Sequence, residues 1–318
     1  MIMGKRLAYI DFLKGTGIIL VLLGHLPING IIHMQIYSFH MPLFFFCSGL
    51  FFKPKTIVQG FKKDVRSILI PYVFFASILI MTLLGIGSVY NKSLEVAVGQ
   101  LNLNPLDSEC YPLYHTIWFL ICMFFVKELF NIFSKIIANY RIIGWGGYLA
   151  AIVLRECGIH LPFFIDTAFG MMFFYTVGYT FIYSKYSKER FNTYVLLLFL
   201  CLYFGLISIV SPEVNTRDNV YPWYLCITAL VPTFLLYYLS ANICCRDLWI
   251  LKFIRKCGVK SLFIFALHGP VLEILFPVMS HLNIGNFAKT TILLFITIPI
   301  CLWAERVIMR YTPFLVGK

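Results

Sequence analysis

Three ionisable residues stand in a stretch that is otherwise almost wholly apolar. Asp11, Lys14 and His25 lie in Tyr9-Ile10-Asp11-Phe12-Leu13-Lys14-Gly15, which continues through leucine and isoleucine to Leu23-Gly24-His25. As a helix, the eleven positions from Lys14 to His25 make about three full turns. Both side chains then share one face, about 16 Å apart along the axis. Asp11, three residues before Lys14, is within pairing reach of it. A second apolar stretch opens Ser38-Phe39-His40-Met41-Pro42 and carries His40 near its start. Imidazoles change charge near neutral pH, so two of them in apolar segments suit proton transfer. Lys14 on the same line suits an anionic group or a developing negative charge. A metal site lacks a third and fourth ligand at plausible spacing, and none is expected. Each histidine also admits a plainer reading, as a hydrogen-bonded bridge between helices.

The elements that must position these residues are set by composition. Of 318 residues, 60% are hydrophobic and only 13% are charged, about half the charge of a typical soluble domain. A soluble globule of this size cannot bury that much apolar side chain. The expectation is an all-α polytopic membrane protein, with no soluble enzyme, disordered chain or disulfide scaffold in play. Predominantly apolar segments fall at about 7–27, 36–52, 67–87, 114–133, 142–156, 163–183, 193–210, 223–243, 261–282 and 288–308. That is roughly ten spans, the second and fifth of them short. Residues 1–318 are then one transmembrane domain with no additional soluble domain, and no cleavable leader is read at the start.

A net charge of +12 would ordinarily raise nucleic acid as a partner, but its placement argues otherwise. Sorted by alternate loops, 21 of the 26 basic residues fall on one side and 4 on the other: Lys92, Arg155, Arg217 and Lys289. Lys14, inside the first span, is the remaining one. The basic side is the cytoplasmic one, and both termini are expected there. The partner implied is the lipid bilayer. No nucleic acid is expected.

Polar residues at membrane depth are costly and so become functional candidates. Arg66 stands just before Ser67-Ile68-Leu69-Ile70-Pro71-Tyr72, with Lys62 and Lys63 close by, and reads as an anchor or as a phosphate ligand. His268 and Glu273 in the ninth span, and Glu305 beside Arg306 in the tenth, either satisfy a neighbouring helix or line a substrate path. Trp118 reads most simply as an interfacial aromatic. The ten cysteines show no metal spacing; Cys110 and Cys157 share a side and can pair.

Taken together, Ile10-Asp11-Phe12-Leu13-Lys14-Gly15 through Gly24-His25, then Phe39-His40-Met41-Pro42-Leu43-Phe44-Phe45-Phe46-Cys47-Ser48-Gly49, resemble the membrane acyltransferase-3 family. Within it the chain is most similar to bacterial sugar O-acetyltransferases of the fucose 4-O-acetylase type. The likeness continues through Arg66 with Pro71-Tyr72, Trp118-Phe119-Leu120, Ser261 to His268, and Glu305-Arg306. The family pattern in the first span is an arginine, ten residues, then a histidine. Here Lys14 replaces the arginine, keeping the charge and losing the bidentate fork.

The resemblance implies transfer of an acyl group, commonly acetyl, from cytoplasmic acyl-CoA to a hydroxyl of an envelope carbohydrate or glycolipid, at a bacterial inner membrane. His25 would then be the base for the acceptor hydroxyl, His40 would orient it, and Lys14 would stabilise the thioester end of the donor. Lys62, Lys63 and Arg66 would hold acetyl-CoA, and Trp118, His268, Glu273 and Glu305 would line the acceptor path. Two other classes fit ten spans with intramembrane charges: a lipid-linked sugar flippase, and a proton-coupled transporter using His25, His40 and Glu273 as a relay. The former should show interrupted helices repeated in corresponding halves, and none is visible.

Overall fold

The computed structural model describes residues 8–89, 117–184, 193–209, 225–243, 246 and 248–317. Among them the chain is helical almost throughout and forms no strand. The helices are α1 (Ala8–Gly24), α2 (Gly30–Tyr37), α3 (His40–Gly49), α4 (Ile57–Asp64), α5 (Ile70–Val89), α6 (Trp118–Ile136) and α7 (Tyr140–Glu156). Then follow α8 (Ile165–Ile182), α9 (Thr193–Ile209), α10 (Leu225–Ile243), α11 (Trp249–Val259), α12 (Ser261–Ser280) and α13 (Asn286–Tyr311). Among the described residues, four stretches are long and apolar enough to cross a membrane: Ile57–Gly85, Cys226–Ile243, Ser261–Ser280 and Asn286–Tyr311. Along these stretches large apolar side chains such as Met81, Phe287, Phe295 and Trp303 are exposed, an arrangement that water penalises and lipid does not. The chain is a membrane protein.

Three places depart from a plain series of rods. The expected second span, 36–52, holds α3 and only the last two residues of α2, with the break between the two helices at Ser38-Phe39. Asn29 starts α2, its side-chain oxygen accepting from the Ile31 N–H at 2.9 Å. Pro42 sits in the first turn of α3, where its missing N–H costs nothing, so the break falls just upstream. Second, a π turn over Val65–Leu69 joins α4 to α5. The Pro71 ring would meet the Ser67 carbonyl in a regular helix, and the wider turn makes room for it. Third, α11 is a short amphipathic helix between expected spans.

Helix α11 positions Lys14. A Cβ on Gly15 would stand 1.9 Å from the Ile254 carbonyl oxygen, and one on Gly258 would stand 1.7 Å from that of Asp11. The two backbones touch there, as small residues allow between helices in lipid. The core beside this crossing is filled by Leu13, Ile18, Leu22, Leu43, Phe45, Phe46, Phe75, Phe130 and Phe174, each at most 1% exposed.

Candidate active site

His25 follows α1 directly, half-buried, its backbone N–H donating to the Leu22 carbonyl at 3.1 Å. Its ring lies 4.9 Å from that of His268 on α12, centroid to centroid. His268 is 1% exposed, and its Nδ1 faces the Phe265 and Ile264 carbonyls at 2.7 and 3.1 Å. Carbonyls only accept, so Nδ1 carries a hydrogen, and in the neutral ring Nε2 holds the lone pair. The same holds for His40, 4% exposed, whose Nδ1 donates to the Ile36 carbonyl at 2.8 Å.

His40 joins this group through Tyr37. The Tyr37 ring is 4.8 Å from His40, 6.2 Å from His25 and stacked at 4.0 Å on His33. The imidazole expected beside His25 is that of His40; among the described residues, packing of α12 against α1 sets the His268 ring there. His33 and Tyr37 were missed, although His33, Tyr37 and His40 follow one another at four- and three-residue steps, the spacing of one helical face. The α2–α3 break hid that spacing within an expected span boundary.

Lys14 lines a cavity of about 270 Å³ with Phe44, Cys47, Ser48, Phe51, Phe119, Leu120, Met123, Ser261, Leu262 and Phe265. Among the described residues it makes no ion pair; the expected partner Asp11 has its carbonyl against Gly258, one helical turn away. Aromatic rings lead from the cavity toward the histidines. The Phe119 ring lies 5.9 Å from Phe44, 4.9 Å from Phe45 and 5.3 Å from Phe265, and Phe265 lies 6.1 Å from His268. Lys14 and the imidazole cluster therefore stand toward opposite ends of α1, linked through Phe265, which lines the Lys14 cavity.

The remaining candidates are scattered. Lys63 lines a second, polar cavity beside α4, whereas Lys62 and Arg66 are exposed and line neither cavity. Glu305, 4% exposed, pairs with Lys260 and so ties α13 to the end of α11. Glu273 is half-buried on α12, five residues beyond His268. Trp118 starts α6 and packs on Phe164 at 5.3 Å, outside both linings. Phe163 and Phe164 have φ of 56° and 60°, a left-handed pair that turns the chain into α8 beneath Trp118. Cys157 is exposed, and Cys110 lies outside the described residues.

Helices that present apolar surface to lipid, around a cationic cavity and a cluster of imidazoles, define a membrane-embedded protein built for chemistry inside its own bundle. The chain matches the acyltransferase-domain model over residues 7–306 and belongs to the acyltransferase-3 family. It is a membrane acyltransferase. No curated protein and no solved structure matches it.

Proposed function

We propose that this chain is a single-domain, ten-span O-acyltransferase of a bacterial cytoplasmic membrane, with both termini inside, similar to enzymes of the fucose 4-O-acetylase type. It moves an acetyl group from cytoplasmic acetyl-CoA to a hydroxyl of an envelope carbohydrate or glycolipid. The observation that carries this reading is the pairing of a cation-bearing apolar cavity on α1 with an imidazole cluster at the end of the same helix, the two linked through Phe265.

The acceptor oxygen attacks the thioester carbonyl carbon while His25 takes its proton. The new C–O bond forms, the C–S bond breaks, and the thiolate of the departing CoA recovers the proton from the imidazolium. His268 and Tyr37 hold the ring in place; His40 supports Tyr37 from the other side. Lys14 and His25 are about 16 Å apart, so no single carbonyl meets both. Lys14 therefore binds the donor short of its thioester rather than the oxyanion itself.

Purified protein in detergent should release CoA from radiolabelled acetyl-CoA and pass label to an envelope glycan fraction. Mass spectrometry of glycans from cells lacking the protein should show the matching loss of acetyl. No CoA release and unchanged glycans would remove the reading. Reporter fusions after Lys63 and Lys256 should report cytoplasm, and those near Glu109 and Arg217 the exterior; a cytoplasmic signal at Glu109 would break the ten-span topology.

A further inference from the structure

The second cavity, of about 170 Å³, lies where the α3–α4 loop meets α4, α6 and α8. By this measure a single water needs about 10–15 Å³, so a phosphate-sized group has room. Lys53, Lys55, Lys63 and Lys127 line it with Asp64, which Lys127 already engages and to which the neighbouring Glu128 carboxyl is hydrogen-bonded. The Lys55 ammonium is within reach of Lys63, and Lys127 is close enough to act on it as well. Burial and then these two cations push the Lys55 pKa down, with Asp64 opposing. Like charges crowded this way cost free energy that an anion among them would offset.

A built donor points to the same ligand. Asn131 is 4% exposed; its Oδ1 accepts from the Lys55 backbone N–H at 3.3 Å, and its buried Nδ2 has no partner. Gly60 keeps that amide accessible, since a Cβ there would stand 2.9 Å from Nδ2. Four ammonium groups and one fixed amide N–H make a site for phosphoryl oxygens. Ser48 and Phe51 line this cavity and the Lys14 cavity alike, so the two adjoin.

We propose that the Lys53–Lys55–Lys63–Lys127 cavity, with Asn131, is the phosphate subsite of the acyl donor, and that the donor's thioester arm runs from it past Ser48 and Phe51 toward Lys14. This rests on the acyl-CoA reading and moves the phosphate contacts from Lys62 and Arg66 to Lys55, Lys127 and Asn131. A lipid headgroup shares the chemistry; continuity with the Lys14 cavity favours the donor.

The test compares acetyl-CoA with S-acetyl-pantetheine, which carries no phosphate, on the full-length protein in nanodiscs. Lys55→Gln, in a loop, and Asn131→Asp should each raise KM for acetyl-CoA roughly tenfold or more, the scale of one lost charge-assisted hydrogen bond. KM for the phosphate-free donor, and kcat, should stay unchanged, and Lys55→Arg should restore binding. Unchanged KM for acetyl-CoA, or equal losses with both donors, would overturn the proposal. Pyrophosphate should raise the melting temperature of wild type and not of Lys55→Gln, a readout free of turnover. That shift without turnover of either donor keeps the anion site and sinks the donor reading. A shift abolished by adding anionic lipid to the nanodiscs assigns the cavity to a headgroup and overturns the proposal.

Discussion

At the His25 end of α1 the polar groups are imidazoles and a phenol packed ring to ring, with Nδ1 of His40 and His268 tied to backbone carbonyls. Beside α4 they are ammonium groups on long, flexible side chains around one buried amide. The first arrangement fixes the orientation of two imidazoles and the nitrogen that donates in each, which favours moving a proton at a set place. The second holds positive charge without a fixed pattern of directions, which favours gripping an anion as it arrives from water. Between them stands a largely apolar cavity that holds Lys14 and the Phe119 and Phe265 rings. On the reading proposed above, one bundle separates the place for a charged donor from the place where a proton moves.

The sharpest break of this comparison is at His25. His25→Gln keeps size and some hydrogen bonding but cannot take the proton, so acetyl transfer should fall about 10²–10⁴-fold in correctly inserted protein. Near wild-type turnover would make His25 a helix bridge. His268→Gln should cost roughly tenfold alone and almost nothing added to His25→Gln, because it acts through that ring. Additive losses in the double variant would give His268 a separate role.

At Lys14 the effect should move to the donor. Lys14→Ala should raise KM for acetyl-CoA and for S-acetyl-pantetheine alike, by about tenfold, since the contact lies beyond the phosphates; Lys14→Arg should retain activity. Sensitivity to the phosphate-free donor is what separates this cation from those beside α4. A KM change confined to acetyl-CoA would merge the two compartments.

The smallest expected effect on acetyl transfer concerns the aromatic rings of the Lys14 cavity. Phe119→Ala opens the Lys14 cavity toward Phe265, so butyryl-CoA should gain on acetyl-CoA by roughly tenfold in the ratio of kcat/KM. Acetyl transfer itself should change less. An unchanged ratio would mean that the rings around Phe119 do not set the length of the acyl chain.

The sequence by itself determined a great deal here, because a hydrocarbon solvent leaves few choices. Apolar runs with satisfied backbones must be helices; the expected segments hold helices among their described residues, and four described stretches are long and apolar enough to cross a membrane. Helical periodicity alone placed Lys14 and His25 on one line, and the structure has Lys14 on α1 and His25 directly after it. Asn29 and Pro42 carry the local chemistry that starts α2 and α3, although the expected span begins at 36, inside α2. What tertiary structure decided is which side chains from different helices meet. His268 rather than His40 lies against His25 because α12 packs on α1 while α2 inserts Tyr37 before α3. Of the four lysines beside α4, Lys53, Lys55 and Lys127 read only as a topology signal in the sequence, where Lys63 looked equal to Lys62 and Arg66 as a donor ligand. Their convergence depends on the path of the α3–α4 loop, held by Asn131, and on the close approach of the Asn131 amide that Gly60 permits. Periodicity fixes directions around one axis; only packing between axes brings distant charges into one cavity.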